Sequence, residues 1–342
     1  MPFGFFGISD EKMKVKKEKK EKVVKEKALP DVKPEINIPP AQQMDLKKIN
    51  VLLICETVAL GEDFLCSLKL NLDETVVNGG LSCFTTDPFT TASIIETKKN
   101  IEKCFRGDPE VRWPVYGDMT DDKSKHYRLN ISVSGMPNKV LEADFTLSTP
   151  DMNLTADIAG ANAIWVLTPD ATGGRVESLF EGKVKNILYS NASALKEKKV
   201  FFVVSQFEKQ VRFRDEGAEA EIPHETRKDL YDATAGIFEE TMKSVGVVGK
   251  MCMVQIYGGL ELLERDGLDR PVFYVNLDGS FGSYCPVGCH IPLFHTINAI
   301  RNDGAVFFFD AEGERLYDAV QKSFSDYNGR KQWDAQLIGL ER

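Results

Sequence analysis

No stretch of about 18 consecutive apolar residues occurs, so nothing predicts a transmembrane helix. The opening residues, MPFGFFGI, are apolar, but they are too short for the core of a secretory signal and lack a basic start. The chain of 342 residues has seven cysteines, an odd number, and the expected setting is the cytosol with its thiols reduced. A serine-nucleophile signature of the form G-x-S-x-G is missing, and so is any solenoid-type repeat. A basic footprint for nucleic acid is missing too. The formal net charge is −9, and residues 11–27 hold nine Lys against four Glu, so everything else carries −14. Phosphate contacts need the opposite sign, which argues against a nucleic-acid partner.

What is present divides into a tail and a body. Residues 1–48 read as an aromatic peptide, a Lys/Glu-rich run and a linker bearing Pro30, Pro34, Pro39 and Pro40. Phe3, Phe5 and Phe6 are costly to leave in water, which makes them candidates for docking on a protein partner. Insertion at an anionic membrane surface, helped by the lysines, is the second reading. Packing on the chain's own body is the third.

From residue 49 onwards the pattern is that of an α/β domain. Ile49–Ile54 is a buried-strand run, followed by a loop and a helix from Gly61 to about Leu70. An insertion is expected at about 71–126, with a helix near 92–105. Tyr127–Ser134 and Val140–Leu147 alternate apolar and polar residues and flank the turn Gly135-Met136-Pro137-Asn138, which predicts an antiparallel hairpin. Continuous apolar strands at Ala163–Leu167, Val200–Val204 and Met251–Tyr257 then alternate with helices at about 173–194 and 223–245. Such strands belong to a mainly parallel sheet covered on both faces. A strand at Val272–Val275 and a helix near 292–301 follow. The domain is expected to run over 49–305, with a further strand and helix in a C-terminal extension, 306–342.

This order, and the motif positions within it, resemble a Ras-like P-loop GTPase domain. The resemblance implies a three-layer α/β/α architecture with a mostly parallel sheet and one antiparallel hairpin. It also implies a phosphate loop, G-x-x-x-x-G-K-[ST], after the first strand, whose lysine and hydroxyl serve phosphate and Mg²⁺. The matching stretch here runs from Glu56 to Asp63 and keeps only Gly61. Glu62 stands at the lysine position and Asp63 at the hydroxyl position. The expectation is that their carboxylates occupy the phosphate site and cap the helix amides there. The Mg²⁺ motif D-x-x-G is matched by Ser148-Thr149-Pro150-Asp151. The guanine-reading motif N-K-x-D is matched by Ser205-Gln206-Phe207-Glu208, in which only Glu208 retains an acceptor suited to a base edge. Tyr257-Gly258-Gly259 falls where the last base-contacting loop would be.

Other chemistry-bearing residues have plainer readings. Cys285, Cys289, His290 and His295 are zinc-ligand types within eleven residues. They lack paired C-x-x-C spacing, and a buried loop with inert thiols is the simpler account. Asp121-Asp122 and Glu239-Glu240 read as solvated faces, and His126 and His224 as structural.

The function implied is that of a pseudo-GTPase, a non-catalytic scaffold or regulatory subunit with no cofactor. Its expected partner is a protein, a true GTPase among the candidates, or a complex recognised by the tail. Eroded domains of this kind accompany intact GTPases in bacterial multi-gene systems, which makes a bacterial setting the expectation. Two alternatives stay open. One is an atypical GTP or ATP hydrolase using Mg²⁺, with a cation such as Arg175 or a partner's replacing the missing lysine. The other is a metal or thiol protein built on the Cys285–His295 segment.

Overall fold

The computed structural model describes residues 45–79, 81–105, 124–133, 136–168, 180–205, 212–215, 218–221, 224–258, 262–265, 271–273, 284–302 and 337–340. All of them lie in the unit Gln42–Arg342. Phe3, Phe5, Phe6, Arg175, Gln206 and Glu208 lie outside the described residues. So do the first part of the helix expected at 173–194, and the strand and helix expected between 305 and 325.

An apolar run that can be buried on both faces makes a central strand, and β1 (Asp45–Cys55) is one. It pairs in parallel with β4 (Met136–Ser148) on one side and with β5 (Ala163–Thr168) on the other. Next comes β6 (Lys199–Val204), parallel to β5, and then β9 (Gly249–Met253), parallel to β6. Beyond β4 lie β3 (Lys125–Val133) and then β2 (Leu81–Phe84), each antiparallel to its neighbour. At the far edge β12 (Leu337–Leu340) runs antiparallel to β9, so the C-terminal extension contributes a strand to this sheet. The eight strands lie in the order β12-β9-β6-β5-β1-β4-β3-β2. Two small hairpins stand apart from it: β7 (Arg212–Asp215) with β8 (Ala218–Glu221), and β10 (Leu262–Arg265) with β11 (Pro271–Phe273).

Helices cover both faces. On one side α1 (Val58–Gly79), α2 (Pro88–Phe105) and α7 (Ile291–Asn302) face Val51, Leu53 and Cys55 of β1. On the other, Leu52 and Ile54 meet α3 (Thr155–Gly160), a π-helical turn at Phe180–Val184, the short helices α4 (Lys185–Ser190) and α5 (Ala192–Leu195), and the long α6 (His224–Val245). Trp165 of β5 is fully buried between Phe64 and Phe145, with ring centroids 6.1 and 5.5 Å away, and its indole N–H donates to Thr296 Oγ1 at 2.9 Å. Burial of each such side chain stabilises the fold by roughly 1.5–3 kcal/mol. The expected layer architecture is therefore the observed one: a mostly parallel sheet with an antiparallel hairpin at β3–β4 and helices on both faces.

Several boundaries differ from the sequence reading. Residues 71–79 continue α1, because Asn71 and Leu72 are buried against the rest of the domain. The short strand β2 was not anticipated, nor was α3. At the β3–β4 hairpin the strand pairing continues past the expected turn, with Val133 opposite Met136 and a register shift between Ser132 and Val133.

Candidate functional site

The parallel strands β1, β4, β5, β6 and β9 end on one edge of the sheet, and the segments that follow them carry the positions compared with GTPase motifs. The connection after β1 is decisive. Only Glu56 and Thr57 separate Cys55 from the first helical residue, Val58. Thr57 is the N-cap: its Oγ1 accepts from the Leu60 amide at 3.2 Å, and its carbonyl accepts from the Gly61 amide at 3.3 Å. A phosphate loop needs glycines that turn successive amides outward into a cradle. Val58-Ala59-Leu60 contains none, and burial of Ala59 and Leu60 draws the segment into the helix. The helix thus begins three residues before Gly61, and a hydroxyl caps it instead of the expected carboxylates. Gly61 serves packing: a Cβ there would lie 2.9 Å from Cys55 Sγ and 2.9 Å from Leu147 Cδ2.

Glu62 and Asp63 leave the helix in different directions. Glu62 is 8% exposed, receives Lys125 Nζ at 3.1 Å, and accepts a hydrogen bond from the Tyr127 hydroxyl. It thereby ties α1 to β3. Asp63, 1% exposed, accepts from the Tyr257 hydroxyl at 2.6 Å and ties α1 to the segment after β9. The two carboxylates do not line a common anion site. Burying a carboxylate costs several kcal/mol unless a partner compensates, and each has one. Glu56, half-buried, remains in the connection itself.

Among the described residues, Ser148, Asp151, Ser205 and Gly258 are engaged within the protein as well. Ser148 is fully buried, with its Oγ 2.6 Å from Ser124 Oγ, and Ser124 also donates to Asp157 Oδ2 at 3.1 Å. Asp151 is exposed and pairs with Lys183 at 2.7 Å. Ser205 turns inward, donating from Oγ to the Thr168 carbonyl at 2.7 Å. Gly258 has φ +65°, and a Cβ on it would fall 1.6 Å from the Cys285 carbonyl oxygen. The close approach that this glycine permits is therefore taken by the chain's own Cys285-Pro286 segment.

That segment is clasped onto α1. Asn71 donates from Nδ2 to the Pro286 carbonyl at 2.6 Å and accepts from the Cys289 amide at 2.9 Å. Ser67 Oγ donates to the Ile256 carbonyl at 2.8 Å, and Tyr284 Oη lies 2.9 Å from it. Cys289 and His290 are buried while Cys285 is exposed, and the Cys289 thiol reaches the Gln255 carbonyl at 3.7 Å. His295 is half-buried on α7; burial, and Lys250 nearby, push its pKa down to about 4. Among the described residues no three His, Cys, Asp or Glu side chains are grouped so as to hold a metal ion, Cys285, Cys289, His290 and His295 included. The thiols of Cys66 and Cys83 are pushed up to about 12 by burial, and that of Cys252 higher still. Buried thiols of this kind are inert.

Sequence reasoning missed the polar half of the sheet. Lys48, Arg128, Glu142 and Asp144 form one charged cluster on β1, β3 and β4, with Arg128 bidentate to Asp144 at 2.7 and 3.1 Å and Lys48 2.5 Å from the same carboxylate. Burial opposes ionisation of Asp144, but Arg128 and Lys48 hold its pKa below the usual range. The signal was present as the polar phase of the alternation in residues 125–133 and 140–147.

No family model matches the chain, and no curated protein matches it by sequence. Among solved structures, one that it resembles is sup35 complexed with GDP, at TM-score 0.32 and 12% sequence identity, over 69% of this chain and 44% of that one. The chain thus spans less than half the length of that neighbour. Among the described residues no helix is long and apolar enough to cross a membrane.

Proposed function

We propose that this domain is a GTPase-like fold that binds no nucleotide and works through protein contacts, as a scaffold or regulatory subunit. The observation that carries the reading is the two-residue β1–α1 connection. The amides of Leu60 and Gly61 are spent on Thr57. The residue at the lysine position is a buried glutamate already joined to Lys125. GTP with Mg²⁺ does not fit these residues: a triphosphate would meet a capped helix in place of a cradle and a carboxylate in place of a cation. The partner proposed is a protein, a true GTPase among the candidates, with Phe3, Phe5 and Phe6 of the tail as a second attachment.

The experiment is a melting-temperature series with GTP or ATP plus Mg²⁺, alongside titration of a fluorescent GTP analogue. Ligand at about 100 times its Kd would stabilise the fold by about 2.7 kcal/mol. No shift is expected at millimolar nucleotide. A clear rise, with saturable fluorescence, would return the chain to the nucleotide-binding class.

A further inference from the structure

The charged half of the sheet is the floor of a cleft of about 470 Å³. Asn50 and Leu52 of β1, His126 and Arg128 of β3, and Asp144 and Thr146 of β4 contribute to that floor. One wall is the N-terminus of α2, with Asp87 and Phe89; the other is α3, with Asp157 and Gly160. The floor mixes charged and polar groups with the apolar Leu52. It has also settled its own charge: Lys48 and Arg128 both pair with Glu142 and Asp144, two cations against two anions.

The walls are different. Asp87 and Asp157 have no ion-pair partner among the described residues. Asp87 uses Oδ2 to cap α2, accepting from the Thr90 amide at 2.7 Å and the Thr90 hydroxyl at 2.6 Å. Asp157 accepts only from Ser124, a neutral donor. On the α2 wall Phe89 is 53% exposed and lies against Tyr127, with centroids 5.5 Å apart. An exposed aromatic face in a cleft with two carboxylates that lack an ion-pair partner suits a guanidinium or ammonium group, which gains from both, even though Arg128 already draws on the charge of Asp87. Gly160 opens the opposite wall, for a Cβ there would meet nothing within 4 Å. The surplus negative charge outside the tail adds long-range attraction for a cation and repels nucleic acid.

We propose that this cleft seats a basic segment of a partner protein, with an arginine or lysine side chain over Phe89 reaching the carboxylates of Asp87 and Asp157. The proposal rests on the interaction-module reading and supplies its partner chemistry.

The test uses the full chain and fluorescence anisotropy of a fluorescein-labelled nonapeptide of alanine and serine carrying two arginines. A counterpart carrying two glutamates is the control. The arginine peptide is expected to bind, more weakly as salt rises, and the glutamate peptide not to bind. Asp157→Asn and Phe89→Ala should each weaken binding by about two- to fivefold. Gly160→Trp should abolish it while leaving the melting temperature of the protein unchanged. Three results would overturn the proposal: no binding of the arginine peptide at millimolar concentration, equal binding of both peptides, or binding that survives Gly160→Trp. A loss of several degrees in the melting temperature of Gly160→Trp would overturn it too, because the chain itself would then fill the cleft. The nucleotide titration is independent of all these outcomes, so failure here is separable from failure of the scaffold reading.

Discussion

Lys125 Nζ stands 3.1 Å from Glu62 Oε1, so the buried glutamate in the first turns of α1 has a cation of its own, brought from β3. That pair explains why an acidic residue is tolerated in a place that is only 8% exposed. It also makes restoration of a nucleotide site by one substitution implausible. Glu62→Lys puts two ammonium groups side by side and is expected to cost about 2–4 kcal/mol. Urea unfolding measures the loss, and the fluorescent GTP analogue should still not bind. The swap Glu62→Lys with Lys125→Glu should recover part of the stability, the signature of direct coupling in a double-mutant cycle.

Gly61 tests the packing role. A methyl group at this position would meet both Cys55 Sγ and Leu147 Cδ2 at 2.9 Å. Alanine is ordinarily the better helix residue by about 1 kcal/mol. Here overpacking should outweigh that gain, and Gly61→Ala should destabilise by about 1–3 kcal/mol in chemical denaturation. A stabilised variant would show that α1 stands further from the sheet than this geometry requires.

Tyr257→Phe removes the hydroxyl that serves Asp63 at 2.6 Å, leaving a buried carboxylate with less compensation. A loss of about 1–3 kcal/mol is expected. Asp63→Asn should cost less when combined with Tyr257→Phe than when made alone, because the interaction it would remove is already gone. Additive losses in that cycle would mean the two residues do not interact.

His295 governs a pH window. Its pKa in the folded protein is lowered to about 4 from an ordinary 6.5, chiefly by burial. The unfolded chain therefore binds this proton first as pH falls. Stability contributed by the neutral imidazole is full above pH 6.5 and is lost between about 6.5 and 4. Because the ring is only part-buried, the loss is on the order of 1 kcal/mol. Thermal melts from pH 7 to pH 4.5 should show it, and His295→Gln should flatten the curve in that window.

Thiol reactivity separates Cys285 from the rest of the described cysteines. It is the exposed one, whereas burial holds the Cys66, Cys83 and Cys252 thiols protonated. Cys285→Ser should remove a fast phase in reaction with an aromatic disulfide reagent in the native protein. A fast phase unchanged by that substitution would place the reactive thiol elsewhere.

Much of the fold was legible without coordinates. Apolar runs such as Ala163–Leu167 and Val200–Val204 can be satisfied only in a sheet covered on both faces, and the alternation around residues 127–147 can be satisfied only by a hairpin with one polar face. The departure of residues 62–63, 148–151 and 205–208 from the motifs they were compared with was equally a property of the sequence. What escaped it were features set by distant partners. The early start of α1 depends on a threonine cap and on buried Ala59 and Leu60, while motif spacing had placed the start at Gly61. The divergence of Glu62 and Asp63 depends on Lys125, Tyr127 and Tyr257, the last of them 194 positions away from Asp63.

Sequence alone determined the layer architecture and the acidic character of positions 62 and 63, because hydrophobic periodicity and residue charge are local properties. Tertiary structure decided what those residues do instead. It turned Gly61 into a packing contact, Gly258 into room for the chain's own carbonyl, and the two carboxylates into separate ties holding α1 to opposite sides of the sheet. The physical reason is that a buried charge or a missing Cβ acquires meaning only from whatever lies within about 4 Å of it, and chain spacing does not encode that neighbour.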